Sequence, residues 1–272
     1  MKELDINLNY FFNDKRMCKF NVPKSYEPTT VSLLYENDLI EETTYEPTDF
    51  NINAWFMHPF LDVYDISKFK VIKNMYGHNG QHETNLFYIH INKCGGSSIE
   101  TVAYEYGIRW GKWHPSKFKY HEPSEYFMNQ PDLIKDKTLF TTIRNPYKRL
   151  ISGVYCPFTR VKYNVLNEEI GLDKFNELIK YLITTNHTYY DYIYHNNNKV
   201  IPHVLKLENL NTDFNKLMFD YNCDIRISKK RNSSDNYYFG KKYGVEDISL
   251  ENIKLINEKY KKDFIYFDYE MI

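Results

Sequence analysis

Apolar positions fall into a repeating order from residue 86 onward. LFYIHI (86–91) is an unbroken apolar, aromatic and β-branched run that stops at Asn92 and a glycine pair, which predicts a buried strand. Beyond the loop NKCGGSS, residues Ile99, Val102, Ala103 and Tyr106 recur at i, i+3, i+4 and i+7 and predict a helix. Ser97 and Glu100 make an S-x-x-E capping box, which places the helix start at the end of the loop. TLFTTI (138–143) predicts a second strand, followed by a helix with Pro146 in its first position. Residues 172–184 put Phe175, Leu178, Ile179 and Leu182 on one helical face. KVIPHVLKL (199–207) predicts a third strand, which Pro202 confines to an edge or a bulge. A helix follows over 208–219, and Ser249 caps a last one that runs to about Lys261. Strands alternating with helices predict an α/β fold, with a mainly parallel sheet covered by helices on both faces.

The first 80 residues are weakly patterned. Ten acids against five Lys/Arg in the first sixty make them locally acidic, and Pro23, Pro28 and Pro47 break any long helix. They read as an irregular N-terminal extension packing on a core domain of residues 81–272.

Composition narrows the classes. With 42% hydrophobic and 17% aromatic residues, the chain is expected to fold rather than stay disordered. Thirty-five Lys+Arg against 36 Asp+Glu argue against a general nucleic-acid binder. No apolar run approaches the length of a membrane span, and MKELDINLNYFF lacks the apolar core of a signal peptide. A soluble, cytoplasmic protein is expected. Cys18, Cys94, Cys156 and Cys223 are widely spaced and match no zinc-ligand pattern, so reduced thiols and no metal are expected.

A strand that feeds a glycine loop into a helix start is anion-binding architecture, because free N–H groups and the helix dipole point at the ligand. Gly95 and Gly96 allow close approach of a phosphate, Ser97 and Ser98 add hydroxyls, and Lys93 adds a charge. The Lys precedes the glycines, so the loop is not the nucleoside-triphosphatase loop G-x-x-x-x-G-K-[ST]. Arg144 lies at the predicted carboxyl end of the second strand, where open α/β sheets bind ligands. It can grip a second phosphate, with the Ser152 hydroxyl completing the site. Lys148 and Arg149 read as solvated face charges.

These stretches together resemble the sulfotransferases that use 3′-phosphoadenosine 5′-phosphosulfate (PAPS). FYIHINKCGGSSIE (87–100) resembles that family's 5′-phosphosulfate loop, commonly HIPKTGGTS, and FTTIRNPYKRLISGVY (140–155) its 3′-phosphate motif R-N/D-P-x-x-R-x-x-S. The version resembles the carbohydrate-directed, Golgi-type branch and its bacterial and viral relatives more than the cytosolic small-molecule branch. The Golgi-type branch normally carries a membrane anchor, so with none seen the resemblance implies a bacterial or viral source. The likeness is strong over about 86–155 and weaker over 199–272. Asn92 stands where the family has Pro, and Cys94 where it has Thr, so the backbone N–H of Cys94 matters more than its side chain.

The resemblance implies a P-loop-like three-layer fold and metal-free sulfuryl transfer from PAPS to an acceptor hydroxyl, a glycan for preference. It implies that Lys93 stabilises the leaving oxygen. Cys94, Gly95, Gly96, Ser97 and Ser98 would hold the 5′-phosphate, and Arg144 with Ser152 the 3′-phosphate. Lys229, Lys230, Arg231 and Asn232 would close over the nucleotide. A general base is needed between the two motifs. His114, between Trp113 and Pro115, is favoured; His121 is the runner-up, and Glu105 the carboxylate alternative. The competing readings are a kinase-like, nucleotide-dependent phosphotransferase and an inactive nucleotide- or glycan-binding module.

Overall fold

The structure is a computed structural model. It describes all residues except 1, 5, 13–14, 23–28, 36–37, 46–51, 57–65, 74–83, 112–113, 115–118, 120, 164, 166–168, 224 and 228–239. The chain divides into two compact units, Met1–Gln81 and His82–Ile272.

The first unit is not irregular. It is built of antiparallel strands: β1 (Lys2–Leu4), β2 (Ile6–Phe12), β3 (Lys15–Val22), β4 (Thr29–Tyr35), β5 (Asp38–Tyr45), β6 (Ile52–Phe56) and β7 (Phe69–Lys73). They form one sheet of order β1-β7-β4-β5 and another of order β2-β3-β6. Alternate residues such as Val31 and Leu33, or Phe69 and Val71, are buried, as the pleat requires. The alternation is short and interrupted by acids and Asn, which is why it escapes a scan for long apolar runs.

The second unit carries the parallel sheet. Its strands are β8 (Leu86–Ile89), β9 (Thr138–Ile143) and β12 (His203–Lys206), in the order β12-β9-β8. Both pairings are parallel, with Tyr88 opposite Phe140 and Leu205 opposite Thr142. β12 starts just after Pro202 and lies at the sheet edge, where a residue without an N–H does no harm. A small hairpin of β10 (Tyr194–His195) and β11 (Asn198–Lys199) turns through Asn196 and Asn197, both at positive φ.

The helices are α1 (Gly96–Glu105), α2 (Ser124–Met128), α3 (Pro131–Ile134), α4 (Pro146–Val154), α5 (Pro157–Lys162), α6 (Leu172–Thr185), α7 (Tyr189–Ile193), α8 (Leu210–Asp220), α9 (Leu250–Lys259) and α10 (Lys261–Tyr266). α4 opens with Pro146 behind an Asn145 cap, and Ser249 caps α9 through the Asn252 N–H. The sheet alternates its side chains between two cores. Leu86, Tyr88 and Phe140 pack with Ile99 of α1 and Phe214 of α8. Phe87, Ile89 and Leu139 pack with Phe127 of α2 and Tyr189 and Tyr192 of α7. The result is a three-layer α/β fold with helices on both faces of the sheet. A further helical core joins α4, α6, α9 and α10 through Leu150, Phe175, Ile179, Ile256 and Phe264.

Candidate active site

β8 and β9 are parallel neighbours, so the loop 92–95 and Arg144 emerge at the same carboxyl edge. The loop conformation is special. Lys93 has φ +62° and Gly95 φ +87°, both in the left-handed region. A Cβ on Gly95 would lie 2.5 Å from Leu207 Cδ1, just beyond β12, and one on Gly96 would lie 2.1 Å from Nε2 of His90. Both positions therefore require glycine. The Ser98 N–H turns back onto Gly95 C=O at 3.0 Å, and the amides before it lie at the helix end, a place that favours an anion.

The capping box does not form. α1 starts at Gly96, so Ser97 lies within its first turn, and the Glu100 carboxylate turns inward instead. Its Oε1 lies 2.7 Å from Nδ1 of His90, with both residues buried. A partner available in the tertiary fold outcompetes the local cap.

Arg149 is the chief correction to the sequence reading. It is not a solvated charge: it is 1% exposed. Its Nη1 donates to His187 C=O at 2.8 Å and its Nε to Asn92 C=O at 3.3 Å, while Nη2 donates to Asn92 Oδ1. The guanidinium lies 4.9 Å from the centre of the Tyr189 ring. Asn92, where the resembled family has Pro, is thus a fastening point that a Pro side chain could not supply. Among the described residues Arg149 forms no ion pair. Its position was legible: Pro146, Arg149, Leu150, Gly153 and Val154 recur on one helical face, and that face is buried.

Tyr189 ties the two motifs together. Its hydroxyl donates to Arg144 C=O at 2.6 Å, accepts from Arg144 N–H at 3.2 Å, and lies 3.6 Å from Cys94 Sγ. Glu208 accepts the Asn145 N–H at 2.9 Å and fixes the start of α4 from the β12 side. Neither Tyr189 nor Glu208 carries a sequence signal by itself. Lys93 and Arg144 are half-buried, and among the described residues neither side chain forms an ion pair or a hydrogen bond. Ser97 and Ser152 are likewise half-buried. Cys94 is fully buried and its thiol is pushed up by desolvation, which disfavours a reactive thiolate there. Lys229, Lys230, Arg231 and Asn232 lie outside the described residues.

The two histidines separate. His114 packs edge-on against Phe87, with ring centres 5.4 Å apart, and feels the charge of Lys137, which precedes β9. That is the amino-terminal side of the sheet. Phe87 to Ile91 alone spans about 13 Å of strand. His121 stands at the carboxyl side. Its Nδ1 donates to His90 C=O at 3.0 Å, and its ring centre is 4.4 Å from that of His90. It reaches solvent yet is crowded. Desolvation first, then His90, Lys93 and Arg149, hold it below its ordinary 6.5. Because a carbonyl only accepts, Nδ1 carries the proton and Nε2 the lone pair.

Asp263 of α10 is fully buried and accepts the Tyr189 and Tyr190 N–H groups at 2.7 and 2.9 Å. Desolvation raises its carboxyl from 3.8 to about 6. The folded chain thus holds this proton more tightly than the unfolded one. The stability it contributes is full below about pH 4 and is lost as pH rises through about 6. Asp263→Asn should therefore gain stability relative to the parent between pH 4 and pH 7, read from denaturant midpoints. A difference independent of pH would contradict this.

Among the described residues no cluster of His, Cys, Asp and Glu could hold a metal, and no helix is long and apolar enough to cross a membrane. No curated protein and no solved structure matches the chain. A family model described as the sulfotransferase family matches residues 79–270. That span contains the parallel sheet, the glycine loop and the arginines that follow β9, and the chain belongs to the sulfotransferase family.

Proposed function

We propose that this sulfotransferase takes its sulfuryl group from PAPS and moves it to an acceptor hydroxyl, with His121 rather than His114 as the general base. The observation that carries the reading is a pair of cations, Lys93 and Arg144, that lack a counter-charge among the described residues. They flank open loop amides at one sheet edge, and the buried Arg149 adds a third positive charge behind the loop. A donor with phosphate groups at both its 3′ and 5′ ends fits that arrangement. Bound there, PAPS supplies an activated sulfuryl group.

The residues divide the work as follows. The loop amides of Gly95 and Gly96, with the Ser97 and Ser98 hydroxyls, hold the 5′-phosphate end. Arg144 and Ser152 hold the 3′-phosphate. Lys93 Nζ answers the negative charge that grows on the leaving oxygen. His121 Nε2 takes the proton of the acceptor hydroxyl, since its Nδ1–H is already committed to His90 C=O. The acceptor we infer is a glycan hydroxyl, on the strength of the resemblance to the carbohydrate-directed branch.

Thermal shift with 3′-phosphoadenosine 5′-phosphate against AMP tests the donor site. At about 100 times its Kd the bisphosphate should add roughly 2.7 kcal/mol, and AMP should add far less. Arg144→Ala should erase most of that preference; equal loss of both ligands would refute the 3′-phosphate role. Transfer of labelled sulfate to a panel of glycans, peptides and small alcohols tests the acceptor class. His121→Ala should lower kcat by about 100-fold or more, with His114→Ala within a few-fold of the parent. The reverse pattern would return the base to His114.

A further inference from the structure

The histidine–carboxylate pair beneath the glycine loop takes no part in the mechanism above, yet both of its members are buried. Glu100 is 0% exposed and His90 7%. Three features hold the pair in place. His90 Nδ1 and Glu100 Oε1 are 2.7 Å apart. Gly96, the first residue of α1, sits directly against the His90 imidazole. Gly111, at φ +55°, lies so close to Glu100 that a Cβ there would fall 1.5 Å from Oε1. Against a carboxylate oxygen Nδ1 of His90 is the donor, so Glu100 sets the tautomer and plane of that ring. The fixed ring then meets His121 edge-on, and the carbonyl of the same residue receives the His121 Nδ1–H.

We propose that His90 and Glu100 are positioning residues: Glu100 locks His90, and His90 orients His121 through both its ring and its backbone carbonyl. One residue then joins the floor of the anion loop, through Gly96, to the group that receives the acceptor's proton. Loop and base move as one body, which keeps the acceptor aligned with the group being transferred. The inference rests on the reading of His121 as the base for its catalytic consequence, but not for its geometry. Among the described residues, the titratable and charged groups that act on His121 include His90 on the strand end, Lys93 in the loop and Arg149 on α4. Glu100 stands behind His90, and Glu122 is the next residue in the chain.

Histidine 15N spectra of the whole 272-residue chain, without donor or acceptor, test the geometry apart from turnover. The expected result is His121 with Nδ1 protonated and Nε2 bare, and His90 with Nδ1 protonated. A parent spectrum with His121 protonated on Nε2 alone overturns the proposal without any variant. In His90→Asn, which removes the ring, the His121 titration should move up toward 6.5, and the acid limb of the kcat profile with it. kcat should fall on the order of 10- to 100-fold, with bisphosphate binding within about threefold. Glu100→Gln should lower kcat in the same way without loss of binding. A purely structural pair would lower the melting temperature and leave the His121 titration and the pH profile in place, and that result overturns the proposal. If the spectra are as expected but His121→Ala still turns over, the assignment of the base fails and the positioning geometry stands.

Discussion

Lys93→Gly is expected to cut sulfuryl transfer by about 100- to 1,000-fold while leaving the chain as stable as before, or slightly more so. Lys93 sits at φ +62°, a conformation that costs a residue with a Cβ about 1–2 kcal/mol and glycine nothing. Glycine gives back roughly 0.5–1 kcal/mol through the greater freedom of the unfolded chain. The balance lies between zero and about 1.5 kcal/mol in favour of glycine. A left-handed lysine at the mouth of a glycine loop is thus retained against a local preference, and its side chain is the only thing glycine lacks. Lys93→Ala keeps the strain and removes the charge, which isolates the chemistry. Turnover should fall about 100- to 1,000-fold, with bisphosphate binding largely intact, because the loop amides and Arg144 remain. Turnover within a few-fold of the parent in Lys93→Ala would refute the leaving-group role.

The second large effect is on folding. Arg149→Ala should destabilise the second unit by about 3–5 kcal/mol. It leaves the part-buried carbonyls of Asn92 and His187 and the amide oxygen of Asn92 without their donor, and it leaves a cavity against Tyr189. At roughly 2–4 °C per kcal/mol for a unit this size, the melting temperature should drop by about 10 °C. Bisphosphate binding should weaken as well, because the loop loses its fastening and the charge behind it. Arg149→Lys should fall between, since one ammonium cannot make the forked set of bonds. A melting temperature within a degree or two in Arg149→Ala would mean that the loop does not depend on this side chain.

Both predictions turn on one difference between local and tertiary information. The sequence placed β8, β9 and the helices after them because apolar periodicity is local and strong there. It located Lys93, the glycines and Arg144 because a loop between strand and helix has recognisable chemistry. It read Arg149 from its charge alone, although the helical period of its neighbours already turned it inward. It gave Glu100 to Ser97, because a cap is the nearest partner along the chain. The folded chain offered His90 instead, ten residues back in sequence and adjacent in space. The histidines show the limit most plainly. His114 and His121 both lie between the motifs in similar aromatic company, and nothing local says which end of a parallel sheet each will reach.

What the sequence determined by itself was the α/β alternation of the second unit, the glycine loop between its first strand and helix, and the two cations, Lys93 and Arg144, at the strand ends. Each is written in contiguous residues whose backbone needs are met locally. Only the tertiary structure decided which groups become partners: Arg149 with Asn92, Tyr189 with Arg144, Glu100 with His90, and His90 with His121. Those pairs join segments that are distant in the chain or turned toward one another only by packing. The first unit's sheets belong there too, since antiparallel strands with one buried face are specified by their neighbours more than by their own residues.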